Sequence, residues 1–531
     1  MLRNVLVDYI ETLTERQFDI PLLCILLKNG FYDIHFTHGS FEFGKDFIAK
    51  KREGDKVVQY FFQSKGGNIG LPDWGQIRWQ IDEARINPLS HPSFDDTLDR
   101  KVVLVLTGRL VGGAGISTQK YKEYCKNEGK IGFNVWDIDN LIEMILSGEV
   151  NSIGLIKEQP ELLSIIAKIQ TDNVTFKDLE RYSRNWMERC KENNKKSFLG
   201  VILEASIFAT ELENKGRLTL ACYVSLFPTR AIVHSLHSLG NVPMWAKPCL
   251  QLVRKQFDYY SNHLLFSLKE NFEDNESVFY NQVKGAHTFI TYPVICSQIM
   301  EIIGLIGLLK FDEDNKNEAE EIVNILEILI RKNTGFFSPL SDKYAISLLP
   351  PLILFAKFNR LEMCELIIKK NAIWLCNRYE ISEFGMASPY ATEDEEVQTL
   401  LGYSYDFMDL TSRRESYLAT LLLDMSALLG LSELYEDILN DILATSIYPC
   451  NVETNNSTQN YMLNGDDIVY TPNVRFEEVL IPNGGWRNAV NVENNPTFCS
   501  ENGLWWELLG IATTMRDRHY ISDLRILIND M

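Results

Sequence analysis

The hydrophobic pattern of this chain changes its period near residue 155, and this change limits the folds open to it. Before that point, helical segments alternate with short runs rich in Val, Phe and Tyr, which are typical of strands. After it, apolar residues recur every three or four positions and strand alternation is scarce. We therefore predict an α/β domain over residues 1–155 and a large all-α region over residues 156–531.

The first domain is predicted to hold a mixed central sheet flanked by helices, in the order α-β-β-β-α-β-α-β-α. Strands over 43–50 and 56–63 surround a Gly-containing turn and indicate a hairpin. The apolar run 101–107 indicates a buried central strand. In the second region a solenoid of helical pairs is one architecture, although no repeat of fixed period is present. The Asn-rich stretch 450–502 predicts a long irregular excursion between helices.

Charge is distributed unevenly between the two parts. The chain has 52 basic and 72 acidic residues, a net charge of −20. The first 155 residues hold 18 Lys/Arg and 21 Asp/Glu, a net of −3, and the rest hold 34 and 51, a net of −17. Such a field does not attract DNA or an anionic membrane to the whole molecule. Any contact with nucleic acid must therefore come from a local basic patch.

Cysteine usage and apolar segments indicate a cytoplasmic protein with no membrane association. The ten cysteines are scattered and form no CxxC pair, which favours a reducing compartment. The first eight residues already carry charge and do not have the pattern of a signal peptide. The longest apolar stretches, 289–309 and 417–431, are interrupted by polar residues or are too short to span a bilayer, and they predict buried helices.

Three polar side chains of the segment 41–67 are expected to meet. Within the predicted hairpin, Asp46 lies across from about residue 62 and hence within one or two residues of Gln63. Gln63 and Lys65 are two apart on one strand, so their side chains point to the same face. A carboxylate, an amide oxygen and an ammonium group therefore converge at one end of the sheet.

This set suits phosphodiester hydrolysis assisted by Mg²⁺ or Mn²⁺. A hard divalent ion takes oxygen ligands, which Asp46, the Gln63 amide and the Ser64 backbone carbonyl can supply. The ion activates a water molecule and neutralises charge on the scissile phosphate. Lys65 would orient or help to deprotonate that water and stabilise the transition state.

The same segment resembles the Mrr-type branch of the PD-(D/E)XK restriction endonuclease superfamily. Its D-x-G-x-D place is filled by Glu42-Phe43-Gly44-Lys45-Asp46, and its Q-x-K place by Gln63-Ser64-Lys65. Its helical F-E place is filled by Phe18-Asp19, followed at the helix end by Gly30-Phe31. The resemblance covers roughly the first 150 residues.

The resemblance implies a restriction-endonuclease-like fold and a set of site residues. Asp46, Gln63 and Lys65 would form the catalytic core, and Asp19 would be the helix acid that helps to hold the metal. Asp19 replaces the usual Glu and is one methylene shorter. Glu42 stands where the family has its first Asp, and a surface carboxylate is an equal alternative for it.

Local positive charge could form a rim that contacts DNA phosphates. The hairpin carries Lys45, Lys50, Lys51 and Arg52, together with Lys56. On the next helix Arg78 and Arg85 lie seven residues apart and hence on one face, with Trp74 and Trp79 interleaved. An ordinary solvated face with core tryptophans is the alternative interpretation.

We therefore expect a Mg²⁺-dependent DNA endonuclease. The layout resembles effectors of prokaryotic anti-phage defence or restriction systems, in which a nuclease head is joined to a sensing or assembly module. The helical region would control activation, bind a protein partner or form a homo-oligomer. Two alternatives remain: a helical scaffold with a catalytically inactive nuclease-like head, and a nuclease that acts on RNA.

Overall fold

The computed structural model describes residues 2–37, 46–86, 93–95, 97–127, 132–146, 160–270, 288–381, 397–398, 401, 415–449 and 498–516. The chain divides into two compact units. The first comprises residues 1–182 and 194–211, and the second residues 183–193 and 212–531. The predicted boundary after residue 155 and most of the predicted Asn-rich stretch (450–497) lie outside the described residues.

Every helix and strand predicted for residues 14–146 is present, and one further helix precedes them. The strands are β1 (Phe31–Phe36), β2 (Phe47–Glu53), β3 (Lys56–Lys65), β4 (Asp99–Leu106) and β5 (Gly132–Trp136). The helices are α1 (Leu2–Glu11), which was not predicted, α2 (Glu15–Lys28), α3 (Leu71–Ile86), α4 (Gly113–Asn127) and α5 (Ile138–Leu146).

The five strands form one mixed sheet in the order β1-β2-β3-β4-β5. The pairs β1–β2 and β2–β3 are antiparallel, whereas β3, β4 and β5 run parallel. β4 lies between β3 and β5 and is largely buried, which confirms the predicted central strand. The mixed sheet flanked by helices that the pattern predicts is therefore present.

The two faces of the sheet carry different cores. On one face Ile48 and Phe61 pack with residues of β4, α3 and α4, including Trp74. On the other, the rings of Phe31, Phe62 and Trp136 contact one another with centroids 5.3 to 6.0 Å apart. Helix α2 packs on β1 and α5 on β5, and α1 contacts α5.

The rest of the described chain is almost wholly helical. Its α-helices are α6 (Pro160–Gln170), α7 (Phe176–Cys190), α8 (Lys195–Asn214), α9 (Leu218–Leu239), α10 (Lys247–Glu270), α11 (Thr288–Asp312), α12 (Lys316–Lys332), α13 (Leu349–Lys357), α14 (Leu361–Ile381), α15 (Tyr417–Leu428), α16 (Ser432–Ala444), α17 (Phe498–Glu501) and α18 (Trp505–Met515). Two 3-10 helices, Thr334–Phe337 and Asp342–Leu348, precede α13. The prediction of an all-α region needs one small correction, because the two-residue strands β6 (Glu415–Ser416) and β7 (Tyr448–Pro449) pair in parallel.

Helix α11 is a core helix of the second unit. Within the described residues it alone is long and apolar enough to cross a membrane, but 78% of its most apolar window is buried inside the protein. At Gly304 a Cβ atom would lie 2.7 Å from atoms of Pro350 and Pro351, so α11 and α13 approach each other closely.

The cysteines with described surroundings are buried thiols that form no disulfides.

Helix α18 is held at both ends by arginine–carboxylate pairs within the second unit. Near its start, Glu507 accepts hydrogen bonds of 2.7 and 2.9 Å from the Arg254 guanidinium. Just after its end, Arg516 donates to both oxygens of Glu301 at 2.8 and 3.1 Å. Next to Glu507, Trp506 is fully buried, and its indole N–H donates to the carbonyl oxygen of Leu305.

The Arg516–Glu301 pair is the most deeply buried ion pair described. Glu301 is fully buried and also accepts hydrogen bonds from the Tyr223 and Ser347 hydroxyls. The Arg516 guanidinium lies 4.3 Å from the centre of the Tyr344 ring. A charge without its partner here would have no water to solvate it, so each member of the pair depends on the other.

We expect Arg516→Met to lower the free energy of unfolding of the second unit by about 3–5 kcal/mol, because it leaves the Glu301 charge buried and unpaired. Arg331→Met is the matched control, since Arg331 forms an exposed i,i+4 pair with Glu327, and its effect should stay within about 0.5 kcal/mol. Urea unfolding followed by circular dichroism measures both. Equal effects of the two substitutions would contradict the prediction.

Candidate active site

The β2–β3 register places Asp46 opposite Gln63. Phe47 pairs with Phe62 in this antiparallel ladder, so the residue before Phe47 faces the residue after Phe62. The Gln63 amide Nε2 donates to Asp46 Oδ2 at 2.8 Å, and the Ser64 backbone N–H donates to the same oxygen at 2.6 Å. The predicted proximity of Asp46 and Gln63 is confirmed. Both side chains are buried, at 7% and 3% exposure.

Strand alternation places Gln63 and Lys65 on the face of the sheet that α3 and α4 cover. Ile48 and Phe61 belong to the core under these helices, and residues two apart on a strand share a face. Asp46 lies two residues before Ile48, and Gln63 and Lys65 lie two and four residues after Phe61. The three residues therefore lie together where the covered core ends, at the start of β2 and the end of β3.

Glu15 also belongs to this group, and the sequence motif did not identify it. It lies in the first turn of α2, and Lys65 Nζ donates to its Oε1 at 3.1 Å. Asp19, the predicted helix acid, is half-buried one turn further along α2. Residues four apart share a helix face. Glu15 could therefore have been identified from the sequence as an acid one turn before the motif position of Asp19.

The residues present fit a divalent metal ion. Among the described residues the buried Gln63 Oε1 has no hydrogen-bond partner, because the amide nitrogen faces Asp46. A buried amide oxygen without a donor is costly unless a cation or another donor meets it. No group of three or more His, Cys, Asp or Glu side chains in the described chain is placed to hold a metal, so an ion here would depend on amide and carbonyl oxygens beside Asp46. Glu42 lies outside the described residues.

Two loops that follow β3 and β4 pack tightly beside Lys65. The Thr107 backbone N–H donates to the Lys65 carbonyl oxygen at 3.1 Å, and the Gly67 backbone N–H donates to Thr107 Oγ1 at 2.8 Å. A Cβ atom on Gly108 would lie 2.5 Å from the Gly67 carbonyl carbon. Only glycine at 108 allows this approach, which fixes the backbone that carries Lys65.

The basic residues of the hairpin are differently placed. Lys50 donates to Asp33 Oδ2 at 2.8 Å, and this hydrogen bond is the main reason that the pKa of Asp33 falls to about 2. The Lys51 ammonium lies 4.7 Å from the centre of the Phe31 ring. Arg52 is exposed at the turn, and Lys45 lies outside the described residues. Arg52 and Lys56 are therefore the described hairpin cations that are exposed enough to meet a phosphate.

Arg78 and Arg85 share a helix face, as their spacing predicts, but only Arg78 is exposed. Both guanidinium groups lie over the Tyr121 ring, at 5.1 and 5.8 Å from its centre. Arg85 is 7% exposed and donates to the Tyr121 hydroxyl at 3.0 Å and to Asp82 at 3.4 Å. Its guanidinium thus joins α3 to α4, which leaves it little surface for a phosphate.

The interleaved tryptophans also differ. Trp74 is buried in the core under α3 and α4, whereas Trp79 is 76% exposed. The core-tryptophan alternative is therefore confirmed for Trp74 but does not hold for Trp79. Trp74 is a core tryptophan, and Trp79 stands beside Arg78 on the outer surface.

We expect Gly108→Ala to lower the free energy of unfolding of the first unit by about 1–3 kcal/mol, because the loop at Gly67 must move to admit the methyl group. Gly115→Ala is the matched control. No atom lies within 4 Å of a Cβ there, and alanine in α4 should be neutral or stabilise by up to about 1 kcal/mol. Thermal unfolding followed by circular dichroism compares them, and a Gly108→Ala protein as stable as the wild type would refute the close contact.

Comparison with known proteins gives this chain no family. No family model matches it, and neither does any curated protein or solved structure. Its function must therefore be argued from the residues of the site and from the motif resemblance.

Proposed function

We propose that the first unit is a Mg²⁺- or Mn²⁺-dependent DNA endonuclease with a restriction-endonuclease-like fold of the Mrr type. One observation carries the proposal: the Asp46 carboxylate is hydrogen-bonded to Gln63, whose Oε1 is buried without a described donor, and Lys65 follows on the same strand. This combination of hard oxygen donors with an adjacent ammonium group suits an anionic phosphodiester.

Asp46 and Gln63 Oε1 would hold the divalent ion, with the Ser64 carbonyl as a further ligand. Asp19, the helix acid that the resemblance adds, is one methylene shorter than the family's Glu and would contribute least. The bound ion supplies charge neutralisation at the phosphate and a more acidic water molecule. The Ser64 N–H and the Gln63 amide N–H both donate to Asp46 Oδ2. These two hydrogen bonds fix the carboxylate before any substrate arrives, which is the preorganisation that electrostatic catalysis requires.

Lys65 acts on the substrate side of the site. Its ammonium group donates hydrogen bonds to anionic oxygens and stabilises the charge that develops on the phosphate. Glu15 positions it, because the 3.1 Å contact holds the flexible side chain toward the start of α2. The exposed Arg52 and Arg78 would contact the DNA backbone away from the scissile bond.

The helical region would control the nuclease or bind a partner. Its net charge of −17 makes it a poor DNA ligand by itself, so a protein partner or further copies of the chain are the proposed contacts. We place the protein in the cytoplasm, as an effector of a prokaryotic anti-phage defence or restriction system, without a membrane partner.

We expect Asp46→Ala and Lys65→Ala each to reduce Mg²⁺- or Mn²⁺-dependent cleavage of plasmid DNA by at least about 10²-fold, because each removes a charge that faces the reacting phosphate. Lys122→Ala is the matched control, since Lys122 is an exposed lysine of the first unit outside the site and the predicted rim. Its cleavage rate should stay within about twofold of the wild-type rate.

The same assay separates the alternatives. Wild-type protein that binds DNA but cleaves neither DNA nor RNA with either metal would support the inactive-head scaffold. Cleavage of RNA alone, with the same dependence on Asp46 and Lys65, would support the proposed active site but show that its substrate is RNA.

We expect Glu15→Gln to slow cleavage by about 5- to 50-fold, because Glu15 directly contacts Lys65. Asp19→Asn should slow it by less than about fivefold. Both variants remove one acid from the same face of α2, so a general charge effect is matched between them. Single-turnover cleavage rates measure the difference. A larger loss of cleavage rate for Asp19→Asn than for Glu15→Gln would show instead that Asp19 is the helix acid of the site.

A further inference from the structure

Helices α3 and α4 leave a groove between them on the surface of the first unit. It has a volume of about 650 Å³, and its walls include Leu71, Arg78 and Trp79 from α3 and Lys120, Tyr121 and Tyr124 from α4. This volume lies within the range of sites that bind small molecules. The groove is distinct from the group formed by Asp46, Gln63 and Lys65.

The groove displays aromatic surface that the core does not need. Trp79 is 76% exposed, and Tyr124 and Leu71 are also among the exposed large side chains of the first unit. The neighbouring Trp74 and Tyr121 already fill the core under the two helices. An open aromatic ring at the mouth of a groove is the surface on which a planar group stacks.

Two cations accompany the exposed rings. Arg78 lies over the Tyr121 ring, and Lys120 is exposed on α4. The acid that lines the groove, Asp82, accepts hydrogen bonds from Arg85 and from the Tyr121 hydroxyl, and its ion-pair distance to Arg78 is a long 3.9 Å. Burial, and then the hydrogen bond to Asp82, raise the pKa of Tyr121, so its hydroxyl stays neutral. The groove therefore offers positive charge and stacking surface together.

We propose that the groove between α3 and α4 binds a single-stranded segment of DNA, with a base stacked on Trp79 and the backbone phosphates at Arg78 and Lys120. Exposed aromatic rings interleaved with cations are the chemistry that binds unpaired nucleotides without sequence preference. Bases paired within a duplex do not offer their faces to a side chain. The assignment rests on the proposed function for its choice of DNA, and it adds that the substrate has an unpaired portion.

The position of the groove in the fold supports this assignment. Helix α3 begins six residues after Lys65, and α4 begins shortly after the end of the parallel neighbour β4. The connections after β3 and β4 meet in a bridge between Ile69 and Leu110. The Leu71 end of the groove is thus at the same sheet edge as Lys65. A DNA single strand that enters the groove there would run along α3, away from the Lys65 site.

Binding to the full chain without divalent cations tests the proposal separately from cleavage. Fluorescence anisotropy would compare a labelled single strand, a blunt duplex and a duplex with a single-stranded overhang, all in EDTA. We expect Trp79→Ala to weaken binding of the single strand and of the overhang by about 5- to 100-fold, the usual loss of one stacked base. Trp79→Phe keeps a ring and should lose less, and the blunt duplex should be little affected by either.

Two further variants sharpen this test. Ile86→Ala is the matched control, because Ile86 is 75% exposed on α3 and does not line the groove, and it should bind all three DNAs as the wild type does. Lys120→Gln should lower the salt dependence of single-strand binding by about 0.7 in the slope of log K against log salt, as one lost phosphate contact does.

The outcomes distinguish the groove from the nuclease. Trp79→Ala that binds every DNA as tightly as the wild type would overturn the groove assignment and leave the cleavage site untouched. Binding of the single strand that depends on Trp79, in a protein that never cleaves, would support the groove and refute the proposed activity. A wild-type protein that binds the blunt duplex as tightly as the single strand, or that shows Trp79-dependent binding only with RNA, would also overturn the assignment.

Discussion

The register between β2 and β3 is the constraint on which the site depends. Glu53 pairs with Lys56 across a two-residue turn, and the ladder then runs without interruption to Phe47 and Phe62. Gly54 has φ of +59°, in the left-handed region that favours glycine, so the turn fixes the start of the ladder. A register slip of one residue would move every side chain of β2 to the opposite face of the sheet. The meeting of Asp46 with Gln63 is thus decided at the far end of the hairpin.

The part of the site that is local in sequence could be predicted, and the part that depends on tertiary packing could not. Asp46 and Gln63 belong to one hairpin, so counting from its turn was enough to bring them together. Glu15 and Lys65 are 50 residues apart, and their contact depends on how α2 packs beside the end of β3. The spacing of Arg78 and Arg85 correctly gave a common face, but the burial of Arg85 results from Tyr121 on a different helix.

The same distinction applies to the fold. Hydrophobic periodicity identified the order of helices and strands along the first domain and most helices of the second region, because each period is a property of neighbouring residues. The apolar periodicity predicts a helix over 218–227 that stops before Pro228, yet α9 continues through Pro228 to Leu239. Tertiary burial of this helix outweighs the local cost of proline. The apolar periodicity also predicts one helix over 504–528, but α18 ends at Met515, where Arg516 turns into the left-handed region and pairs with Glu301, 215 residues earlier. No local pattern contains that information.

The burial of α18 also has a consequence for the order in which the protein matures. The first unit is complete in sequence by residue 211, whereas α9 and α11 receive their packing partner α18 only after residue 505. At about 5–20 residues per second, a ribosome needs roughly 15 to 60 seconds to make the intervening chain. During that interval the sheet and its α3–α4 face can already be folded on the nascent chain, while the helical unit still lacks the helix that closes its core. A restraint that depends on the completed helical unit would therefore begin only after α18 has been made.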